Sequence, residues 1–169
     1  MAFTDDGHVP TEGVSERRRA RMVALQALYE LDATSHNPET VIARRIEEDQ
    51  TPPGSAGYLR QIVEGVRVHQ PAIDRHIVVA APAWPLEQMA RVDKCILRLA
   101  LYEMLCRPDL PSKVAINEAV ELAKLFGHDT SAKFVNGVLG TVERSRRAGA
   151  TAPAASQIES TITSTEGKR

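Results

Sequence analysis

The sequence predicts an all-α protein of about seven helices, arranged in two small helical subdomains. Apolar residues recur three or four positions apart through most of the chain, which is the spacing of one face of an α-helix. No window combines two-residue alternation with enrichment in β-branched residues, so no strand is predicted. The length of 169 residues suffices for one domain with a core, or for two small subdomains that share an interface.

The front subdomain is predicted over residues 15–81, with three helices. These helices are expected at residues 17–31, about 37–48 and about 59–77. Ser15 is a candidate N-cap for the first helix, which is rich in arginine. Pro71 falls inside the third helix and should kink it or interrupt its hydrogen bonds.

The back subdomain is predicted over residues 86–147, behind a linker of composition Pro-Ala-Trp-Pro at residues 82–85. Its helices are expected near residues 86–89, 93–105, 116–126 and 131–142. Gly127 should end the third of them, and Ser131 should cap the last. Residues 1–14 and 148–169 lack apolar periodicity, which predicts a disordered leader and a disordered tail.

The net charge of −1 argues on its face against a nucleic-acid binder, because such proteins replace the counterions of phosphate with Lys and Arg. The distribution of charge matters more than the sum. Four arginines fall within residues 17–21, while the acidic residues 47–49 and the leader carry much of the opposing charge. The sequence therefore predicts a local basic patch that the overall balance hides.

Several classes of function find no support. Cys95 and Cys106 lack the spacing of a metal site, so we expect reduced thiols and no metal. There is no glycine-rich phosphate loop and no nucleophile elbow, and we predict no catalytic residues, no cofactor and no enzyme activity. No apolar run reaches the 18 residues of a membrane span, and the N-terminus is not a secretory signal. We therefore expect a soluble, cytoplasmic protein without membrane contacts.

The arginines at the start of the first helix are candidate RNA ligands. The planar guanidinium pairs with phosphate and stacks on bases, which suits an RNA strand better than lysine does. A solvated helix start is the alternative interpretation. Cations at a helix N-terminus oppose the helix dipole, and this unfavourable placement favours a functional reason for the cluster.

A second candidate contact is Lys133 with Phe134, which offer a cation and an aromatic face side by side. Core packing of Phe134 is the alternative that spacing alone favours. Gly137 lies in the same helix, where glycine costs up to about 1 kcal/mol relative to alanine, and this predicts close approach of another helix. Glu118 and Glu121 are predicted to lie on a solvated face.

Three segments of the chain resemble the NusB family of transcription antitermination proteins. They are KVAINEAVELAKLFG at residues 113–127, KFVNGVLG at residues 133–140, and RRRAR followed by ALQALY between residues 17 and 29. The resemblance implies two helical subdomains and binding to the boxA sequence in the RNA of ribosomal RNA operons. It also implies a heterodimer with NusE, a small-subunit ribosomal protein, and entry into the RNA polymerase antitermination complex.

The same resemblance implies roles for individual residues. Those matching the RNA-binding positions of the family are Arg17, Arg18, Arg19, Arg21, Gln26, Lys133 and Phe134. Those matching its contacts with NusE are Tyr29, Glu87 and Asp93. Asp93 stands in for a Glu of the family and has a shorter side chain.

Two alternative functions belong to other classes. Ribosomal RNA 5-methylcytosine methyltransferases carry an N-terminal RNA-binding accessory domain of this helical type, but they need a catalytic domain after it. A structural homodimer is the second alternative, in which the helical surface pairs with a second copy of the chain. Sedimentation with and without RNA separates these possibilities.

Overall fold

A computed structural model describes residues 15–149 and contains six α-helices and one short 3₁₀ helix in that range. The α-helices are α1 (Glu16–Ala33), α2 (Pro38–Glu48), α3 (Pro53–Ala80), α4 (Arg91–Cys106), α5 (Ser112–Phe126) and α6 (Ser131–Arg147), with the 3₁₀ helix at Leu86–Gln88. The described residues form no strand. The all-α prediction is confirmed, with a 3₁₀ turn where a seventh helix was expected. The predicted leader, and the predicted tail from residue 150 onward, lie outside the described residues.

Side chains of the local sequence set the starts of two helices. The Oγ of Ser15 accepts a hydrogen bond from the amide of Arg18 at 3.3 Å, which confirms the predicted cap of α1. The Oδ1 of Asn37 accepts from the amide of Thr40 at 3.2 Å and caps α2. The predicted cap of α6 is wrong, because Ser131 is the first residue of that helix. Its Oγ instead accepts from the amide of His128 at 2.9 Å, across the turn before α6.

The helix α4 is the centre of the fold. It packs against α1, α3, α5 and α6. Twelve of its sixteen residues are buried, so nearly every face of this helix is covered. The closest approach is to α3, where an added Cβ on Gly65 would lie 2.1 Å from the ring of Tyr102. Only glycine allows the two helices to pack at this distance.

The long helix α3 continues through Pro71, so the predicted interruption does not end it. Pro71 is exposed and has no amide hydrogen to donate to the carbonyl four residues earlier. One hydrogen bond is therefore missing within a helix of 28 residues. Buried apolar residues lie on both sides of the proline, among them Val66 and Ile73, so packing maintains the helix through it.

Residues 82–85 separate α3 from the 3₁₀ helix and α4, as the linker prediction requires. Buried side chains on both sides of this linker belong to one hydrophobic cluster. The division into subdomains at residues 15–81 and 86–147 stays a prediction. Within residues 15–149, every helix is too short or too polar to cross a bilayer.

Candidate nucleic-acid interface

Arg17 is the most accessible of the four clustered arginines. It lies in the first turn of α1 and its side chain is exposed. Its guanidinium carbon lies 5.2 Å from the centroid of the Tyr58 ring, a cation-π distance. A phosphate can reach this guanidinium from solvent without displacing any other helix.

Arg18 forms a two-pronged ion pair with Glu118 of α5. Its Nε donates to Oε2 at 2.9 Å and its Nη2 donates to Oε1 at 2.8 Å. The carboxylate holds the pKa of the Arg18 guanidinium above its usual value, mainly through these hydrogen bonds. The Arg18 side chain is 37% exposed, against 17% for Glu118. Arg18 is therefore reachable from solvent but already has an anionic partner.

Arg19 and Arg21 point back toward the protein. The Nη2 of Arg19 donates to the backbone carbonyl of Asp49. The Arg21 side chain is 3% exposed and pairs with Glu103 of α4, with N···O distances of 2.8 and 2.9 Å. Its Nη2 also donates to the hydroxyl of Tyr58 at 3.2 Å. Through these hydrogen bonds Arg21 joins α1 to α3 and α4.

The hydroxyl of Tyr58 donates to the same Glu103 carboxylate. Burial, and then the hydrogen bond to this carboxylate, raise the pKa of Tyr58 to about 12. The phenol therefore stays protonated at physiological pH. It completes a buried group of arginine, glutamate and tyrosine beneath the exposed arginines.

Gln26 is also buried, at 3% exposure, and its Oε1 accepts from Arg45 of α2 at 3.3 Å. Among the predicted RNA-binding residues of α1, the structure thus leaves Arg17 exposed and Arg18 and Arg19 partly exposed. Arg21 and Gln26 are enclosed in this conformation. Direct contact of these two with RNA stays a prediction.

The second candidate contact lies at the start of α6. Lys133 is exposed and Phe134 is half-buried. The Phe134 ring packs edge-to-face against Trp84 of the linker, with 6.2 Å between centroids. Trp84, Lys133 and Phe134 line a groove of about 820 Å³ between the linker, the start of α4 and α6.

Gly137 opens onto this groove. A Cβ added there would meet nothing within 4 Å, so the predicted close approach of another helix at Gly137 is wrong. Because glycine has no side chain, nothing projects from this position into the groove. No packing requirement of the described residues accounts for its presence.

The three residues matched to partner contacts lie around the start of α4. Glu87 is exposed in the 3₁₀ helix, and Asp93 is in the first turn of α4. Tyr29 of α1 reaches the same end of α4, because the guanidinium carbon of Arg91 lies 5.5 Å from its ring centroid. The fold therefore brings these separate segments to one region, although their contact with a partner stays a prediction.

Sequence reasoning missed several residues of these surfaces. Glu118 was expected on a solvated face, but its partner Arg18 holds it at 17% exposure. Glu121 does face solvent, where it pairs with Lys124 at 2.8 Å. Tyr58 and Trp84 drew no functional prediction. An aromatic residue inside a proline-rich linker was the one local signal that pointed to Trp84.

The NusB family model matches residues 18–144 of this chain. A transcription antitermination protein NusB from Roseiflexus sp. (strain RS-1) is 54% identical over 140 residues, which cover 80% of this chain and 99% of that protein. The solved structure of T. maritima NusB has a TM-score of 0.71 at 32% identity, covering 76% of this chain and 90% of that one. A structure of the antitermination factors NusB and NusE in complex with dsRNA has a TM-score of 0.71 at 24% identity, covering 77% and 97%. This last likeness supports the fold.

Proposed function

The chain belongs to the NusB family, and from this we propose that it is an RNA-binding transcription antitermination factor that acts together with NusE. Its RNA target in this proposal is the boxA sequence of ribosomal RNA operons. The assembly then joins RNA polymerase. The mechanism is the assembly of a complex, and no covalent bond is made or broken.

The observation that carries the RNA contact is the exposed face at the start of α1. Arg17 is exposed there and the Arg18 side chain is 37% exposed, so both guanidinium groups are reachable from solvent. Each phosphate that such a group neutralises releases counterions, which makes binding dependent on salt. Arg19 lies on the same turn and is partly exposed, but its guanidinium donates to the backbone carbonyl of Asp49 and is less available to phosphate.

The buried arginine has a positioning role in this proposal. Arg21 is fixed by Glu103 and Tyr58, so it sets how the first turns of α1 sit on α3 and α4. The exposed arginines one turn earlier on α1 are positioned through this contact. Loss of Arg21 therefore weakens RNA binding through the protein structure, whether or not RNA touches it.

The NusE contact is proposed for the surface around the start of α4, where Tyr29, Glu87 and Asp93 converge. Glu87 is exposed and free to meet a basic partner. Asp93 is almost enclosed, and its shorter side chain reaches less far than the Glu it replaces. We expect Glu87 to contribute more than Asp93 to the partner contact.

The test is fluorescence anisotropy of a labelled boxA RNA titrated with this protein, alone and with NusE, against a scrambled RNA. We expect tighter binding to boxA than to the scrambled RNA, and a further gain when NusE is added. Equal binding to both RNAs that NusE does not change would overturn the proposal. Sedimentation at several concentrations then shows whether the chain pairs with itself instead.

The matched variants are Arg18→Ala and Arg60→Ala. Both side chains are 37% exposed and both are ion-paired, but Arg60 lies on α3 with Glu39 as its partner. Loss of the Arg18 contact should weaken boxA binding and reduce the slope of log affinity against log salt by about 0.7, the value for one phosphate on a single strand. The Arg60 variant should leave both unchanged. An identical response from the two variants would remove the α1 patch from the RNA surface.

A further inference from the structure

Three arginine side chains lie against the ring of Tyr58 on α3. The guanidinium carbons of Arg17, Arg107 and Arg21 are 5.2, 5.3 and 5.5 Å from the centroid of that ring. At these distances the negative face of an aromatic ring attracts a cation. Tyr58 is not among the residues predicted to bind RNA, yet it contacts the most accessible arginine of α1.

The three arginines differ in whether their charge is neutralised. Arg21 pairs with Glu103, and Arg107 pairs with Asp109 at N···O distances of 3.1 and 3.0 Å. Arg17 forms no ion pair with any residue in the range 15–149. An aromatic ring attracts a cation without supplying a carboxylate. The charge of Arg17 is therefore held in place by the ring and is still available to a phosphate.

A groove of about 420 Å³ opens beside the ring, between the start of α1, the start of α3 and the end of α4. Arg17 and Tyr58 line it, together with Gly57, where an added Cβ would meet nothing within 4 Å. A phosphate can therefore approach Arg17 through open space. Glu16 lines the same groove, and its carboxylate repels phosphate. The place at which Arg17 holds its charge thus decides whether a phosphate can bind there.

We propose that Tyr58 is a positioning residue for RNA binding, whose ring holds the Arg17 guanidinium where a phosphate of the RNA backbone enters this groove. The inference rests on the proposed RNA-binding function and adds a residue of α3 to it. Tyr58 acts through Arg17 and needs no contact of its own with RNA. An arginine side chain has a large rotamer entropy, and one that already lies against a ring loses less of it when RNA binds.

The ring of Tyr58 is itself fixed. Its hydroxyl donates to the carboxylate of Glu103 and accepts from Nη2 of Arg21 at 3.2 Å. These bonds hold the ring between α1 and α4 from its hydroxyl end. The face that contacts Arg17 therefore keeps a constant position relative to the first turn of α1.

The experiment measures anisotropy of labelled boxA RNA with the full-length protein and its variants at several salt concentrations. Arg17→Ala should weaken binding and reduce the slope of log affinity against log salt by about 0.7, as one lost phosphate contact does. Tyr58→Leu should weaken binding about two- to fivefold, the equivalent of one exposed cation-π contact. Tyr58→Phe keeps the ring and should recover most of the affinity.

A double-mutant cycle separates positioning from a general effect on structure. If Tyr58 acts through Arg17, Tyr58→Leu has no further effect on affinity in the Arg17→Ala background. In the Arg60→Ala background the full loss should persist, because Arg60 pairs with Glu39. Thermal unfolding checks that each variant is folded at the temperature of the titration. Tyr58→Gln, which also lacks the ring but can donate to Glu103, replaces Tyr58→Leu if that variant is unfolded.

Other outcomes overturn the inference. Equal losses from Tyr58→Leu in the wild-type and Arg17→Ala backgrounds would mean that the ring supports this region without a specific role for Arg17. A Tyr58→Phe variant as weak as Tyr58→Leu would assign the effect to the hydroxyl group. If Tyr58→Leu binds boxA RNA like the wild type, the positioning role is wrong and the proposed function stands. If the wild-type protein does not prefer boxA to scrambled RNA, both fail.

Discussion

The guanidinium of Arg18 and the carboxylate of Glu118, one hundred residues apart in the chain, form a two-pronged ion pair between α1 and α5. The same carboxylate lies 3.8 Å from Arg21, the buried arginine of the next turn. One glutamate thus faces two members of the arginine cluster. Any phosphate that binds Arg18 must share it with this carboxylate or displace it.

Removal of the competing charge should strengthen RNA binding. In Glu118→Gln the amide holds Arg18 less strongly, so the guanidinium is freer to pair with phosphate. Part-exposed ion pairs contribute about 0.2–1 kcal/mol, and we therefore expect a gain in boxA affinity of a few-fold. Anisotropy at fixed salt measures this change.

The control is Glu64→Gln, since Glu64 is 54% exposed on α3 and away from the α1 patch. Its affinity should match that of the wild type. Weaker RNA binding in Glu118→Gln would show that Glu118 positions Arg18 for RNA, and that competition between carboxylate and phosphate is not the dominant effect.

The buried pair of Arg21 with Glu103 should dominate the stability of this region. The two side chains are 3% and 1% exposed, so Arg21→Met leaves a carboxylate that no other cation neutralises as closely. Breaking such a pair costs about 3–5 kcal/mol, and urea unfolding should show a loss of that size. The double variant Arg21→Met with Glu103→Leu should recover most of the loss, because no buried charge remains. A single variant as stable as the wild type would contradict the assigned role.

The close approach of α3 and α4 predicts unequal effects of two glycine substitutions in one helix. In Gly65→Ala the new Cβ would lie 2.1 Å from the ring of Tyr102, and overpacking of this kind costs about 1–3 kcal/mol. In Gly57→Ala the Cβ meets nothing within 4 Å, so the helix should gain about 0.5–1 kcal/mol. Thermal unfolding of both variants measures the difference. Equal melting temperatures would mean that the helices move apart at no cost.

The helices were predictable because their signals are local. The spacing of apolar residues, the Ser15 cap, and the Pro and Gly residues at helix boundaries all act within a few residues. Gly127 is another local case. A Cβ there would lie 2.5 Å from the Cβ of Ser131, four residues on, in the turn between α5 and α6. The family was also predictable, because the motifs that carry the resemblance are short contiguous segments of the sequence.

The electrostatic partners were not predictable. From the sequence, an arginine in a cluster is expected to be solvated. No residue near Arg21 in the sequence indicates that it pairs with Glu103, 82 residues away. Glu118 likewise follows the spacing of a polar face, and only the docking of α1 on α5 makes it a partner of Arg18. From the sequence, Trp84 was predicted only as part of a linker. Its contact with Phe134 joins that linker to α6, and the local sequence does not indicate this contact.

The phenol of Tyr58 predicts how stability changes in alkaline solution. Burial and the hydrogen bond to Glu103 raise its pKa from 10 to about 12 in the folded protein, while an unfolded tyrosine keeps a pKa near 10. Between these values the unfolded chain loses the proton and the folded chain keeps it, so the free energy of unfolding falls as pH rises. The contribution is fully present below pH 10 and is lost as pH rises through about 12. Urea unfolding at pH 9 and pH 11 should show a smaller loss for Tyr58→Phe than for the wild type, and equal losses would mean that the phenol titrates normally in the folded state.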